Sequence, residues 1–347
     1  MKRQQQSDSP TSRQKKARTC LVFDLPTLKE LESKSKTYVS QPKQLSGFSK
    51  YSDGKVQFDR SLLKRLHKGA PLGSDLLEGL DEYKEPPNNA PIEHLIDAMA
   101  PQNRAQHDSE APTEPNRMFH IVTYRNNLNK IMGTPYNTNN PFSFFVQRIE
   151  NTLYLDVHLT EDSSQGNIYQ KQGAYAGRRY EVLSSEDNTD SVGGEYCGVF
   201  SMMLGTKRLL IGAELDGCAD DGKYIELKTF RLLKTPKDKF SFERYKLLAF
   251  WIQSYIVGVP LIRVGFRDDK FKLTKEQTFS TTELPRFASS YWKSSVCLNF
   301  ADSFLDWLIA QDIHDNTVYL VNFDPRGKKI TMSSTSKAQF VTKPINL

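Results

Sequence analysis

Four charged side chains lie close together in the segment GAELDGCADDGKYIELK. Side chains of a strand alternate between its two faces, so Glu214 and Asp216 share one face of a first predicted strand. By the same rule, Glu226 and Lys228 share one face of the next predicted strand. This pattern predicts a charged patch on neighbouring strands.

A hairpin centred on Asp221, in the Asp-Asp-Gly turn, would place Asp216 opposite Glu226 and Glu214 opposite Lys228. Carboxylates at cross-strand distance repel each other, and divalent cations such as Mg²⁺ or Mn²⁺, which prefer hard oxygen ligands, remove that cost. Two such ions about 4 Å apart can activate water and stabilise the leaving oxygen of an in-line displacement. A neighbouring lysine can orient the water or neutralise charge on the phosphorus centre.

A solvated hairpin whose charges simply face water is the alternative, because Glu-x-Lys alone is common. The apolar neighbours Ile211, Leu215, Ile225 and Leu227 favour a sheet whose other face belongs to the core. An acidic residue, a turn and then Glu-x-Lys on the next strand is also the core arrangement of restriction-endonuclease-like nucleases.

The elements around this segment predict an α+β fold: one domain of mixed, largely antiparallel twisted β-sheets flanked by helices. Alternating and β-branched runs predict strands over residues 120–125, 152–158, 196–204, 207–216, 223–230, 261–266 and 317–323. The third, fourth and fifth of these form a predicted antiparallel meander. Helices are predicted over 243–256, capped by Ser241, and over 299–309, and loops over 83–91 and 101–117.

Composition limits the partners and the cell compartment. The chain carries a net charge of +6, but its first 18 residues hold six basic side chains and one acidic side chain, so the remainder is nearly neutral. Residues 1–19 therefore predict a flexible basic tail, either a bipartite nuclear-import signal or a solubilising extension, before one catalytic domain at 20–347. Four scattered cysteines argue against a disulfide framework or structural zinc. The longest apolar stretch, Leu247 to Ile262, is too short and interrupted to span a membrane.

Several ordered motifs resemble the DXO family of decapping exoribonucleases and RNA 5′-pyrophosphohydrolases, over residues 20–345. The matching segments are VTYRNNLNKIMGTPY (122–136), a glycine and glutamate at Gly177 and Glu181, GAELD (212–216), YIELK (224–228) and LLAFWIQSYIVGVPLIRVGFRD (247–268). One departure is Arg178, where the family usually has an aromatic residue after the glycine. This arginine bears on substrate preference more than on catalysis, because the carboxylate of Glu181 is present.

The resemblance implies a set of site residues. The metal ligands would be the carboxylates of Glu181, Glu214, Asp216 and Glu226 and the backbone carbonyl of Leu227. Lys228 and Gln253 would contact the scissile phosphate or the nucleophilic water. Arg125 would hold a neighbouring phosphate. Without the resemblance, Gln253 would be interpreted as a helix-packing amide and Arg125 as a surface strand arginine.

The expected activity is hydrolysis at the 5′ end of RNA, dependent on Mg²⁺ or Mn²⁺, with two ions. Candidate substrates are 5′-triphosphate RNA, incompletely methylated caps, NAD caps and, for 5′-to-3′ exonuclease action, 5′-monophosphate RNA. A second hypothesis is a stabilising partner of a large nuclear 5′-to-3′ exoribonuclease. A third is a DNA nuclease with the same acidic core. The basic tail favours the nucleus, with the cytoplasm as an additional location.

Overall fold

The computed structural model describes residues 20–83, 91–104, 118–158, 167–186, 194–315 and 317–345. Within these residues, ten strands form one mixed sheet, which is the centre of the molecule. Across the sheet the order is β1 (Cys20–Asp24), β13 (Lys329–Ser334), β12 (Val318–Asp324), β5 (Phe142–Ile149), β6 (Thr152–Val157), β4 (Ile121–Tyr124), β8 (Lys207–Leu215), β7 (Gly194–Leu204), β2 (Lys43–Tyr51) and β3 (Val56–Gln57).

A second, smaller sheet of the described chain has the order β11 (Leu273–Ser280), β10 (Leu261–Arg267) and β9 (Ile225–Arg231). Strand β4 is parallel to both of its neighbours, and β9 is parallel to β10. The other ladders are antiparallel. The predicted mixed, largely antiparallel architecture is confirmed.

Helices flank both sheets. They are α1 (Leu28–Ser33), α2 (Glu93–Ala98), α3 (Pro101–Arg104), α4 (Arg125–Gly133), α5 (Ile168–Ser184), α6 (Pro236–Ser241), α7 (Leu247–Tyr255), α8 (Leu284–Phe287) and α9 (Ser294–Ile309). A π-helical turn, Phe242–Lys246, joins α6 to α7. In the described ranges, none of these helices has the length and apolar content needed to cross a bilayer.

The large sheet is apolar on both faces because its central strands carry few polar residues. Ile121 and Ile211 belong to the main core with α4, α7 and α9, while Val122 and Leu210 pack on the opposite face with residues of α2. Neighbouring residues of one strand thus serve two cores, as the period of two requires. Helices α4 and α7 are thereby held against the sheet with their ends near β8.

The predicted three-stranded meander is wrong at its third strand. Strands β7 and β8 form the expected hairpin around Gly205, but β9 leaves this sheet and joins the smaller one. Near the turn the predicted register holds, since Cys218 bridges Tyr224 and the Ile225 N–H bonds to the Gly217 carbonyl. Beyond that point the strands diverge, because each is paired along its length with a strand of its own sheet.

Three local predictions need correction. Arg125 does not end a strand but begins α4. Thr235, not Ser241, caps the long helix, because Thr235 and Asp238 form a reciprocal capping box with Pro236 in the first turn. Part of the predicted loop at 101–117 is the short helix α3, while residues 84–90, 105–117 and the basic tail at 1–19 lie outside the described residues.

Candidate active site

Glu226 on β9 is the centre of the charged cluster, and it is almost fully buried at 1% exposure. Its Oε1 atom accepts hydrogen bonds from Lys228 Nζ and Gln253 Nε2, each at 2.5 Å. Its Oε2 atom accepts one from Arg125 Nη1 at 3.2 Å. Burial alone would raise the pKa of Glu226, but the charges of Lys228 and Arg125 outweigh it and hold this pKa below its usual value. The side chain is therefore an ionised carboxylate with three donors.

Arg125 joins three elements at this point. Besides Glu226, its Nη1 donates to the carbonyl of Gln253 at 3.3 Å, and its Nη2 donates to the carbonyl of Glu214 at 2.9 Å. The guanidinium is buried, and its planar fork suits two carbonyls and a carboxylate at once. In this arrangement Arg125 fixes β8, β9 and α7 relative to one another, and its predicted contact with a phosphate stays a prediction.

Asp216 stands just after β8, where that strand diverges from β9. Its Oδ2 accepts a hydrogen bond from the backbone N–H of Leu227 at 2.6 Å, and the ammonium of Lys228 lies 3.9 Å away. Burial and the adjacent charge of Glu226 raise the pKa of Asp216 to about 6. The aspartate thus bridges the two sheets through a backbone donor.

Glu181 comes from α5, an element that the strand pattern could not connect with the others. The preceding Tyr180 packs so closely on Gly265 of β10 that a Cβ there would stand 2.8 Å from the ring, and its hydroxyl donates to Glu276 at 2.6 Å. This contact fixes the helix over the small sheet. Burial and the charge of Asp216 raise the pKa of Glu181 to about 8, against the opposing charge of Lys64.

Glu214 lies at the more open side of the cluster. Its pKa is raised by burial within the cleft and by Glu195 on β7, although solvent reaches the side chain and screens part of this effect. Glu195 in turn lies 3.7 Å from Arg178, the residue that departs from the family motif. The predicted pairing of Glu214 with Lys228 is wrong, because Lys228 pairs with Glu226 and Asp216 instead.

The carboxylates of this cluster are chemically suited to bind divalent cations. Raised pKa values at Asp216 and Glu181 mean that nearby positive charge does not balance these carboxylates, which is the cost that a cation would remove. Within the described residues, no three Asp, Glu, His or Cys side chains already stand at the spacing of a formed ligand shell. The Leu227 N–H points to Asp216. Strand geometry directs the carbonyl of the same residue to the same edge, and its role as a metal ligand stays a prediction.

Sequence reasoning missed Glu195, Lys64 and the cavity. The turn at Gly205 fixes the register of β7 and β8, and extending that register by one pair places Glu195 opposite Asp216, a signal present in the sequence. Lys64 lies in an irregular segment with no such signal. A cavity of about 500 Å³ opens beside the cluster, with Arg125, Glu214 and Gln253 in its wall.

Comparison with known proteins identifies this arrangement. Residues 40–345 match the family model described as RAI1 like PD-(D/E)XK nuclease. The chain is 30% identical to the decapping nuclease RAI1 of Aspergillus fumigatus, covering 79% of this chain and 83% of that protein. It is 26% identical to the decapping and exoribonuclease protein of Xenopus laevis, covering 92% and 88%.

The fold is similar to the crystal structure of Candida albicans Rai1 in complex with pU5-Mn²⁺, with a TM-score of 0.73, 23% sequence identity and coverage of 91% of this chain and 94% of that one. A family model that spans most of the chain, a relative of 30% identity and a shared fold agree with the acidic cluster found between the two sheets. The chain belongs to the RAI1-like family of PD-(D/E)XK nucleases.

Proposed function

We propose that this nuclease hydrolyses the 5′ end of RNA with Mg²⁺ or Mn²⁺ as cofactor, two ions being expected. The observation that carries the proposal is the convergence on Glu226: an ammonium, an amide and a guanidinium meet one buried carboxylate, and Asp216 and Glu181 stand beside it. Carboxylates with an adjacent lysine are the groups that metal-assisted phosphoryl hydrolysis needs.

Each side chain has a separate task in this proposal. Glu181, Glu214, Asp216, Glu226 and the Leu227 carbonyl would hold the ions, which when bound would activate water and stabilise the leaving oxygen. Lys228, anchored on Glu226, places positive charge where a phosphate would stand. Gln253 donates a hydrogen bond from its Nε2 to Glu226, so its Oε1 is the atom that can accept a hydrogen bond from the attacking water and orient it.

Positive side chains around the carboxylates support a polyanionic substrate. Lys64 acts electrostatically on Glu181, and Lys50 acts on Glu214. These cations border the cluster rather than neutralise it, so they can contact phosphates on either side of the scissile bond. The cavity beside Gln253 would receive the 5′ group, whether triphosphate, incomplete cap, NAD cap or monophosphate.

An end-specific cleavage assay tests the proposal. RNA of one sequence, carrying each of these four 5′ groups or a methylated cap, would be incubated with Mg²⁺ or Mn²⁺, beside single-stranded DNA of the same sequence. We expect metal-dependent release of a 5′ product from RNA, and the product identifies the preferred end. Cleavage of DNA at a comparable rate would favour the DNA-nuclease alternative.

One test variant and one matched control variant locate the activity. Asp216→Asn removes a carboxylate of the cluster, whereas Asp221→Asn removes the exposed turn carboxylate between the same two strands, which pairs only with Lys223 among its described contacts. Loss of product with Asp216→Asn alone supports the site. Equal loss in both variants, or no product from the intact protein on any of these ends, would contradict it.

A second proposed role, as stabilising partner of a nuclear 5′-to-3′ exoribonuclease, follows from the motif resemblance, and nuclear location is proposed from the basic tail. Gentle purification on a tagged copy of the chain tests both the partner and its compartment. Recovery of a 5′-to-3′ exoribonuclease from nuclear extract would support the role, and its absence at low salt would argue against it.

A further inference from the structure

One surface outside the acidic cluster combines exposed aromatic rings with cations that form no ion pair among the described residues. Phe240 and Tyr245 are 40% and 54% exposed, although rings of this size are normally buried. Their centroids are 6.1 Å apart at an interplanar angle of 87°, and Tyr291 lies 5.3 Å from Phe240 at 89°. The guanidinium of Arg244 stands 5.9 Å and 5.5 Å from the Phe240 and Tyr245 rings. We call Phe240, Arg244, Tyr245 and Tyr291 the aromatic patch.

The charge of this patch is positive. Glu243 and Asp238, the acidic residues of the same helix, are engaged by Lys239 at 3.7 Å and Arg231 at 2.8 Å. In the part of the chain that the structure describes, neither Arg244 nor the adjacent, exposed Lys246 has a carboxylate within 4.0 Å. Two cations next to accessible rings thus pair with no carboxylate of the described residues, and they can bind an anionic partner.

Helix α7 connects the patch with the active site. From the π-helical turn into α7, the exposed positions are Tyr245, Lys246 and Ala249, followed by the half-buried Gln253, whereas the residues between them are buried. This spacing of three to four residues is one face of a helix. Residues 244–263 contain no aspartate or glutamate, so the face carries no charge that repels phosphate. Ala249, the exposed residue between Tyr245 and Gln253, has a small side chain that would not obstruct a strand of RNA along this face.

We propose that the aromatic patch binds the single-stranded body of the RNA whose 5′ end lies at the catalytic cluster. This inference rests on the proposed function and states where the rest of that substrate lies. Single-stranded nucleic acids are bound by aromatic rings that stack on bases and by cations that follow the backbone. Gln253 follows Tyr245 by eight helical steps, which span about 12 Å along the helix, the length of about four stacked nucleotides. A trinucleotide whose bases stay stacked is too short to reach the patch, and a dodecamer reaches it.

Fluorescence anisotropy with the full chain in a metal chelator tests the inference without cleavage. The probes are labelled 5′-monophosphate oligouridylates of three and twelve nucleotides. Tyr245→Ala and Phe240→Ala should each weaken binding of the dodecamer at least about fivefold, and the preference for the dodecamer over the trinucleotide should shrink accordingly. Arg244→Gln should lower the slope of log Kd against log salt concentration by about 0.7. Tyr38→Ala, which truncates a ring that is 65% exposed elsewhere, is the matched control and should change neither quantity.

Dodecamer binding that is unchanged in Tyr245→Ala and Phe240→Ala overturns the inference and leaves the patch to a protein partner. Equal weakening of both oligonucleotides also overturns it, because a general structural defect would have that effect. Failure of the proposed function is distinguishable, since it would leave all 5′ ends uncleaved with metal while length-dependent binding in chelator persists and still requires the patch.

Discussion

Asp216 and Glu226 are neighbouring carboxylates, and neutralising each one separately should change the stability of the metal-free protein in opposite directions. Asp216→Asn should stabilise the fold, and Glu226→Gln should destabilise it. In the folded protein, burial and Glu226 raise the pKa of Asp216 to about 6, from 3.8 for the unperturbed group. That difference corresponds to about 3 kcal/mol of unfavourable free energy for ionised Asp216. Asp216→Asn removes this cost and keeps an oxygen for the Leu227 N–H, so the free energy of unfolding should rise by up to about 3 kcal/mol.

Glu226→Gln should have the opposite effect. Glu226 is the shared counter-ion of Lys228 and Arg125, and it is 1% exposed. Breaking a buried ion pair from one side costs about 3–5 kcal/mol, because the remaining charge stays buried without compensation. The free energy of unfolding should therefore fall by about that amount, although the substitution is as conservative in shape as Asp216→Asn.

The pH dependence provides an independent check on Asp216. Because its pKa is higher in the folded than in the unfolded state, the folded state binds the proton more tightly, and stability falls as the pH rises between 3.8 and about 6. The advantage of Asp216→Asn should thus be complete above pH 6 and vanish below pH 4. Urea unfolding in chelator at pH 7.5, 5 and 4 measures all three proteins.

Both variants should also lose metal-dependent cleavage, so activity cannot distinguish them and stability must. A decrease in the free energy of unfolding of Asp216→Asn at pH 7.5, or no decrease for Glu226→Gln, would refute the assignment of Glu226 as the ionised centre. A change in the urea m-value would mean that the unfolded state had changed, and the comparison would then rest on the pH profile.

Three further predictions concern metal, activity and fold. Mn²⁺ at 100 times its Kd should stabilise the intact protein by about 2.7 kcal/mol in thermal or urea unfolding, and an equal gain in Asp216→Asn would contradict its role as ligand. Gln253→Leu should lower kcat/KM at least about tenfold in the end-specific assay, because a hydrogen bond to a charged group contributes at least about 1.5 kcal/mol. A loss of less than twofold would contradict this prediction. Asn299→Ala should reduce the free energy of unfolding by about 2–4 kcal/mol, because this buried amide forms hydrogen bonds with Thr37 and the Leu31 carbonyl. A loss below about 1 kcal/mol in urea unfolding would contradict this prediction.

The sequence was sufficient for residues whose partners are close along the chain. The alternation in GAELD and YIELK and the turn at Asp221 correctly predicted that Asp216 and Glu226 are neighbours, and that Lys228 shares their patch. Local rules of strand geometry determine these contacts. The family resemblance added Gln253, which the structure places on the same carboxylate oxygen as Lys228.

Contacts between distant elements could not be derived in this way. Glu181 is held at the cluster by an approach of Tyr180 to Gly265, two residues that lie far apart in the chain, and nothing in either segment alone encodes that approach. The β-branched and aromatic residues before Arg125 predict a strand that continues through it, whereas helix α4 begins there and the guanidinium turns inward. In both cases the deciding interactions are tertiary ones.

The error in the meander shows how the site is made. If β8 and β9 had remained paired past Gly217, the edge of β9 would be filled by backbone, and Glu226 would face only the neighbouring strand. The chain diverges instead at Gly217, where a Cβ would stand 2.8 Å from the Lys64 carbonyl and 2.7 Å from the Leu66 side chain. The Asp216 carboxylate then replaces the missing ladder partner of Leu227. Because the strands separate there, α5 and α7 can bring Glu181 and Gln253 to the same point, so the divergence of the two sheets is the structural cause of the acidic cluster.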